Sequence, residues 1–567
     1  MRAKAIGDSD ASPLRHRALI ALLLLTHSGL LLWQGTWNAP NIDESAHLPS
    51  GLSHLLTGDF TLYRVNPPLI RTWAALPLLI VQPKTDWHFS ETPFGRPEFS
   101  IGRRFHEING PTTFWHFTLA RWALVPISLI GAIVCYCWAT DLYGPAAGIL
   151  SLTMWTFCPN LLCWGASITP DAGAAAFGVL ASWRYWHWLR CPSRRQVVLA
   201  GVSLGVAELT KSTWIILFAL WPLLWLAWRL FRKRDTPNRH SRPTFRQLTA
   251  ILLLGVYLLN LGYGFEDTGT RLKEFTFISG ALGDEQGGNR FRGTWLAEVP
   301  IPLPRNYVSG LDLQRSDFEQ GKVSYLRGER RKGGWWDYYL YGFLVKSPVG
   351  YLGLFMLAGA LVFHRRFRSS HENELLLILP SLALILVVSS QMGFNRHLRY
   401  ALPAMPFLYI SISRSAILFR QGRNIGSMMV ALLITLGIAS SLSVAPFFHS
   451  YFNLAVGGPN SGRFHLLDSN VDWGQDLRRL VRWQERNPNS RPLSVLLTTP
   501  VPLGSLKADM HRFRFREGSP APPGWYAIGV NQLMGYPEDP LRTRVAEFLD
   551  LKPIDQIGYS IMIFRIK

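Results

Sequence analysis

The 567-residue sequence is poor in charged residues and in cysteine. Charged residues make up 17% of the chain and hydrophobic residues 48%, whereas about a quarter of the residues in an ordinary soluble domain are charged. The five cysteines form no CxxC pair and lie in or beside apolar stretches. Neither a zinc motif nor a disulfide framework is therefore indicated, and the composition argues against a soluble protein.

Acidic residues are scarcer than basic ones, and the formal net charge at pH 7 is +21. A basic chain can bind nucleic acid, but here many basic residues form short clusters between apolar runs. Lys and Arg in such positions orient membrane helices. The distribution of charge therefore predicts a lipid bilayer as a partner and no nucleic acid.

Apolar runs predict a polytopic α-helical membrane protein with about 11 transmembrane helices. A spanning helix needs about 20 mostly apolar residues. The apolar run 196–229 is divided into two shorter helices at Lys211, because a lysine near the bilayer centre would be energetically costly. The predicted spans are 14–33, 113–138, 146–163, 169–189, 196–209, 212–229, 247–264, 338–363, 374–390, 401–418 and 425–447.

The basic clusters also predict the orientation, since cytoplasmic loops carry an excess of Lys and Arg. These clusters lie at 190–195, 229–246, 365–368 and 420–423. With the N-terminus inside as well, three segments lie outside: 34–112, 265–337 and 448–567. The expected location is the cell inner (plasma) membrane, with multiple passes.

Two domains are predicted. Residues 1–447 form the transmembrane core with its two large outer loops, and residues 448–567 form a small extracytoplasmic α/β domain. Apolar runs typical of strands occupy 493–497, 525–530 and 557–566. A helical stripe over 477–483 precedes them.

An acidic pair, Asp43 and Glu44, follows the first predicted span. Carboxylates in a poorly hydrated position gain proton affinity and can act as a general base. The alternative is structural, because Asp43 precedes an apolar stretch and aspartate caps helices well.

Further polar residues lie at the same membrane face. Asp171 opens the fourth span, Lys211 follows the fifth, and His397, Arg399 and Tyr400 precede the tenth. Each has a structural alternative: Asp171 as a cap, Lys211 as an interfacial anchor or a partner of its neighbour Glu208, Arg399 as a headgroup contact, and His397 as a loop residue. Together they place carboxylates for deprotonating a hydroxyl beside cations that suit a phosphate. A phosphate at the bilayer surface, with its tail in lipid, would belong to a lipid-linked substrate.

The ordered motifs DE, GDF, NPPL, TPD, LTKST and RYALP resemble those of the polyprenyl- or dolichyl-phosphate-dependent glycosyltransferases of the C-type superfamily. The resemblance is to the branch that groups protein mannosyltransferases with aminoarabinose transferases of lipid A. The segment 468–476 also resembles one found in bacterial members. This resemblance implies inverting transfer of a sugar from a polyprenyl-phosphate donor to an acceptor hydroxyl on the non-cytoplasmic side.

The resemblance also implies roles for individual residues. Asp43 matches the catalytic acidic position, Glu44 is its neighbour in the motif, and Asp171 matches the second acidic position. Lys211 and Arg399 are placed to neutralise the donor phosphate. The further donor-phosphate candidates are Asn66, Arg64, His397 and Tyr400.

One position departs from the family pattern. Many members carry Lys or His before the paired prolines, where this chain has Asn66. A neutral amide can donate a hydrogen bond to phosphate but cannot cancel its charge. The neutralisation of the phosphate therefore falls more on the cations.

Asp43, Glu44 and Asp171 could hold a divalent cation through oxygen ligands, but the resemblance implies that no cofactor is required.

Two other classes of function remain open. A transporter or flippase of lipid-linked sugars would place its ionisable residues near the midplane and show paired halves, which this sequence does not. A non-catalytic receptor with a degenerate transferase core is disfavoured by the intact Asp43–Glu44 pair. The acceptor could be a glycan, a lipid or a protein, and the sequence favours none of these.

Overall fold

The computed structural model describes residues 13–88, 95–231, 242–284, 288–363, 371–421, 424–513, 520–537 and 545–567. The described chain is mostly helical, as predicted. Of the predicted basic clusters, 365–368 lies outside the described residues, as do residues 232–241 of the cluster 229–246 and residues 422–423 of the cluster 420–423.

Seven helices of the described chain are long and apolar enough to cross a membrane, or up to nine if each of two bent pairs is one span. One pair, Pro145–Thr156 with Pro159–Gly165, bends by 60°, and the other, Tyr338–Lys346 with Val349–Val362, bends by 114°. The seven are Leu14–Trp37, Pro97–Tyr143, Ser212–Leu230, Phe245–Gly262, Glu372–Ser390, Leu398–Phe419 and Ile425–Leu442.

All eleven predicted spans fall on helical segments, including Pro170–Arg190 and Arg194–Thr210, which are not among the seven. The multi-pass helical character is therefore confirmed, and the number of crossings stays a prediction.

The described chain also has α-helices outside the predicted spans. They are Ile42–Thr57, Leu69–Ala75, Leu78–Val81, Arg305–Glu319, Gly458–Ser461, Leu477–Arg486, Val530–Leu533 and Ala546–Leu549.

The strands lie in two places. In the second outer loop, β1 (Val323–Leu326) and β2 (Glu329–Lys332) form a hairpin. The C-terminal region holds a five-stranded sheet in the order β4-β3-β5-β7-β6. In this sheet β3 is parallel to both of its neighbours and β7 is antiparallel to both of its own. Its strands are β3 (Leu493–Leu496), β4 (Met510–Arg512), β5 (Gly524–Gly529), β6 (Asp555–Ile557) and β7 (Ile561–Ile566).

The C-terminal sheet shares its apolar cores with the membrane portion. On one side, Tyr338 and Leu398 pack in a cluster with Ile528 and Phe564. In a second cluster, Ala39 packs with residues of the sheet and of the helix Leu477–Arg486. Burial of apolar surface therefore holds the sheet against the segment that follows the first spanning helix and against the ends of several spanning helices.

A buried ion pair fixes the start of the helix Ile42–Thr57. Both carboxylate oxygens of Glu44 accept from the guanidinium of Arg121, which also donates to the carbonyls of Gly35, Asn38 and Ala39. Both side chains are almost completely buried. Glu44 also completes a capping box with the N-cap residue Asn41 and accepts from the amide of Ile168. This one carboxylate therefore ties three parts of the bundle together.

Replacing Arg121 with methionine leaves Glu44 buried without its cation. Loss of one partner of a buried ion pair costs about 3–5 kcal/mol. We expect a large fall in the melting temperature of the Arg121→Met protein in detergent. The matched control is Arg104→Met, because Arg104 is exposed. Equal melting temperatures for the Arg121→Met and wild-type proteins would contradict the structural role of the pair.

Asp472 is a buried carboxyl group in the segment that joins the spanning helices to the sheet. Burial raises its pKa from 3.8 to about 8, although the amide of Gly474 donates to it and opposes that rise. The folded chain therefore keeps a proton on Asp472 that the unfolded chain releases above about pH 4. Stability accordingly falls as the pH rises from about 4 towards 8.

Asp472→Asn removes this titration while keeping the size of the side chain. We expect the melting temperature of the variant to fall less between pH 5 and pH 8.5 than that of the wild type. Asp509→Asn serves as a control at an exposed carboxylate. If all three proteins show the same pH dependence, Asp472 does not titrate in this range.

Candidate functional site

A cavity of about 210 Å³ lies where the ends of several spanning helices meet the two long loops and the C-terminal region. It brings together most of the site residues predicted from the sequence, although they lie far apart along the chain. The predicted residues in its lining are Asp43, Asn66, Asp171, Lys211, His397, Arg399 and Tyr400.

Asp43 is the second residue of the helix Ile42–Thr57, and its carboxylate faces the cavity. One of its oxygens accepts from Arg399 Nη1 at 2.7 Å and from Trp473 Nε1 at 2.6 Å. The helix is capped by Asn41 instead. The alternative interpretation of Asp43 as an N-cap is therefore wrong, and its side chain remains available to the cavity.

Asp171 extends the charged cluster from the neighbouring helix. Its Oδ1 accepts from Lys211 Nζ at 2.6 Å, and its Oδ2 lies 3.7 Å from Arg399 Nε. Lys211, Asp171, Arg399 and Asp43 thus form a row of alternating charges, all of them largely buried. The carboxylates hold the two cations in place, because a buried charge without a partner is costly.

Two structural alternatives are also excluded: Asp171 as the N-cap of its helix, and Lys211 as the partner of Glu208. The N-cap position of the helix Pro170–Arg190 is Thr169, and Asp171 follows it inside the first turn. Lys211 does not pair with Glu208, which instead accepts from the hydroxyl of Tyr307 at 3.0 Å. Lys211 therefore faces the cavity at the break between two helices.

Aromatic rings cover the two cations. Lys211 Nζ lies 4.9 Å from the centre of the Tyr400 ring, and the Arg399 guanidinium carbon lies 4.8 Å from the Trp164 ring. Such contacts favour a cation in a site with little water. Tyr400 therefore helps to position Lys211.

Two histidines in the lining are neutral. Burial lowers the pKa of His397 well below 6.5, and the positive charge of Arg399 lowers it further. Burial has the same effect on the pKa of His47, with Arg71 and Arg399 adding to it. His397 shares a hydrogen bond with the hydroxyl of Ser469. It can hydrogen-bond to a ligand but adds no positive charge to the site.

Two predicted site residues lie outside the cavity lining. Glu44 faces Arg121 and the helix cap, so its carboxylate is committed to structure. Arg64 donates from Nε to the side chain of Asn306 at 2.9 Å. The structure therefore does not bring the predicted site residues Glu44 and Arg64 to the cavity lining, whereas the loop candidate Asn66 does line it.

The cavity also contains charged residues that the sequence did not single out. Arg96 donates to Asp317 at 2.8 Å, and Lys322 lies 3.8 Å from the same carboxylate. Arg396 pairs with Asp468. These residues come from the first outer loop, the second outer loop and the loop before Leu398–Phe419. Their convergence depends on tertiary packing, so no local pattern marks them.

The three carboxylates that could hold a divalent cation are not brought together. Asp43 and Asp171 pair with cations, and Glu44 lies behind the helix start with Arg121. Across the described part of the chain, no group of three or more His, Cys, Asp or Glu residues is arranged to hold a metal ion. These three carboxylates therefore do not fit a metal site in this arrangement.

Comparison with known proteins gives a family match and several structural likenesses. Among solved structures, the chain is similar to ArnT from Cupriavidus metallidurans in the apo state, with 13% identity and a TM-score of 0.46, covering 96% of this chain and 97% of that chain. The same enzyme bound to undecaprenyl phosphate gives 12% identity, the same coverage and a TM-score of 0.45.

The oligosaccharyltransferase AglB from Archaeoglobus fulgidus, in complex with an inhibitory peptide and a dolichol-phosphate, gives 12% identity and a TM-score of 0.44. That likeness covers 76% of this chain and 55% of AglB.

No curated protein matches the chain. Residues 112–256 match the family model described as dolichyl-phosphate-mannose-protein mannosyltransferase. Over these residues the match confirms the resemblance to lipid-phosphate-dependent glycosyltransferases that the sequence motifs predicted.

Proposed function

We propose that the protein transfers a sugar from a polyprenyl-phosphate-linked donor to an acceptor hydroxyl on the non-cytoplasmic face, with inversion. The observation that carries this proposal is the row Lys211, Asp171, Arg399 and Asp43 along one wall of the cavity. In this row, two cations that suit a phosphate lie next to a carboxylate that can take a proton. The acceptor is a glycan, a lipid or a protein.

A second, largely apolar cavity supports a lipid-linked donor. It has a volume of about 170 Å³ and is lined partly by Ile215, Ile216, Val387 and Val388 of two spanning helices. It shares five lining residues with the reaction cavity: Lys211, Gln314, Phe318, Phe394 and Tyr400. A polyprenyl chain along this apolar wall would place its phosphate beside Lys211.

The cations then stabilise the leaving phosphate. As the glycosidic bond breaks, its electron pair passes to the phosphate oxygen, and the negative charge grows there. Lys211 and Arg399 are already held in position, so they stabilise this charge without reorganising. Asn66 adds a neutral donor. We propose that these side chains supply enough charge for the reaction to need no divalent cation.

Asp43 is the proposed general base. The acceptor oxygen attacks the anomeric carbon on the face opposite the phosphate, and its proton passes to the Asp43 carboxylate. A single displacement of this kind inverts the anomeric configuration. The hydrogen bonds from Arg399 and Trp473 orient the carboxylate, and Asp171 holds Arg399 from its other side.

Asp43→Asn keeps the shape of the side chain but removes its basicity. We expect normal membrane insertion and a loss of transfer rate of at least about 10²-fold, the scale of general-base catalysis. The rate is measured with a radiolabelled polyprenyl-phosphate sugar, and Asp86→Asn in the same outer segment is the control. Near-full activity of a correctly inserted Asp43→Asn protein would remove Asp43 from the reaction.

The cations are tested through the donor dependence of the rate. Arg399→Lys keeps the charge, but lysine has no planar fork to contact both Asp43 and Asp171, so we expect a large loss of activity. Arg399→Ala should lose nearly all activity, and Lys211→Ala should weaken use of the donor with any acceptor. If the alanine variants change only the acceptor dependence, these cations serve the acceptor instead.

The proposed orientation can be tested with topology reporters. Reporters fused after residues 300 and 500 should lie outside, and one fused after residue 235 should lie inside, because the Lys and Arg clusters mark the cytoplasmic side. An inside signal after residue 500 would separate the C-terminal region from a non-cytoplasmic site.

A further inference from the structure

The helix Leu477–Arg486 lies between the C-terminal sheet and the end of the first spanning helix. Its residues Leu477 and Leu480 are buried in one core with strands of the sheet. Arg478 and Arg482 are four residues apart, so they share one face of the helix. Both arginines are partly exposed and contact the first spanning helix. One face of this helix therefore serves the sheet, and another carries two cations.

The two arginines lie at the level where the first spanning helix ends. Arg478 Nη1 donates to the carbonyl of Thr36. The Arg482 guanidinium carbon lies 4.2 Å from the centre of the Trp37 ring. Thr36 and Trp37 are the last two residues of the helix Pro13–Trp37, and the last carbonyls of a helix have no partner within it. These contacts satisfy the helix end, but neither brings a full negative charge to the arginines.

Positive charge is in excess around this pair. Among the described residues, Arg478 and Arg482 form no ion pair. Two neighbouring arginines, Arg121 and Arg479, are each paired with a carboxylate. Burial lowers the pKa of Arg478, and the positive charges of Arg482 and of those two neighbours lower it further. Because like charges repel, an anion near Arg478 and Arg482 would stabilise both.

Tryptophan rings lie at the same level on the first two spanning helices. Trp33 lies one helical turn before Trp37 and is 43% exposed. Trp115 is 50% exposed and packs edge-on against Trp122, with ring centres 5.5 Å apart. Trp122 in turn donates to the carbonyl of Leu32 at 3.3 Å. Tryptophan is enriched at the membrane–water interface, so these rings indicate that the two arginines lie at the level of the lipid headgroups.

We propose that Arg478 and Arg482 bind the headgroup of an anionic phospholipid of the bilayer. A guanidinium group can contact two phosphate oxygens at once, and two cations favour a headgroup whose phosphate charge is not cancelled by an amine. The acyl chains lie along Leu25 and Leu32, which are exposed on the first spanning helix. The lipid balances the charge of the arginines and joins the helix Leu477–Arg486 to the bilayer.

This lipid site is separate from the proposed transfer reaction. Neither arginine lines the reaction cavity or the apolar cavity beside Lys211. The lipid is therefore a structural partner and not a substrate, and the inference does not rest on the proposed function.

Binding is measured by native mass spectrometry of the purified full chain, after removal of lipid in a neutral detergent. The probes are palmitoyl-oleoyl phosphatidylglycerol, palmitoyl-oleoyl phosphatidylcholine and glycerol phosphate. We expect phosphatidylglycerol to bind most tightly. The Arg478→Gln/Arg482→Gln double variant should bind it at least about tenfold more weakly, because hydrogen bonds to charged groups contribute strongly to affinity. Arg482→Gln alone, which keeps the contact of Arg478 with Thr36, should also weaken binding.

Two controls separate this site from general surface charge and from the reaction cavity. The Arg491→Gln/Arg512→Gln double variant removes two exposed arginines elsewhere in the C-terminal region, and it should bind phosphatidylglycerol as the wild type does. Arg399→Ala, which is expected to lose transfer, should also bind it as the wild type does. Failure of the lipid site is therefore distinguishable from failure of the transfer reaction.

Five results would overturn the proposal. Equal affinity for the two lipids would remove the preference for an anionic headgroup, and equally tight binding of glycerol phosphate would remove the lipid chains. Undiminished binding by the Arg478→Gln/Arg482→Gln variant would place the lipid elsewhere. An equal loss in the Arg491→Gln/Arg512→Gln variant would indicate general surface charge, and a loss in Arg399→Ala would place the lipid in the reaction cavity.

Discussion

Buried charged side chains need partners, and this constraint organises the site at the ends of the spanning helices. A lone buried ion is strongly destabilising, whereas a row of alternating charges satisfies each member. Lys211, Asp171, Arg399 and Asp43 form such a row. The ion pairs that stabilise these buried charges also hold a potential base and two cations at fixed positions. The same contacts therefore serve both stability and chemistry.

A second buried pair supports the first. Glu44 and Arg121 join the end of the first spanning helix to the start of the outer helix, and Asp43 is the residue next to Glu44. The neighbouring carboxylates therefore have different tasks: one anchors the helix start, and the other faces the cavity. From the opposite side, Trp473 of the C-terminal region donates to Asp43. The site thus depends on both the bundle and the C-terminal region.

The sequence predicted the features that depend on local pattern. All eleven predicted spans fall on helical segments, and the runs at 493–497 and 525–530 overlap β3 and β5. The run at 557–566 was expected to be one strand, but it contains the end of β6, a turn and β7. The motifs placed Asp43, Asp171, Lys211 and Arg399, because each follows or precedes an apolar run on one side of the membrane. The roles within the acidic pair could not be predicted, since they depend on Arg121, which lies 77 residues from Glu44 along the chain. Arg96 and Lys322 were missed for the same reason.

The central claim is that the reaction is a chemical transfer that needs no passage across a bilayer. The most direct measurement uses the purified full chain in detergent, with a labelled polyprenyl-phosphate sugar and an envelope extract as the source of acceptors. We expect the label to pass to an acceptor and free polyprenyl phosphate to be released. An unconsumed donor in detergent, together with movement of the same donor across the bilayer of reconstituted vesicles, would contradict the claim and identify the protein as a transporter.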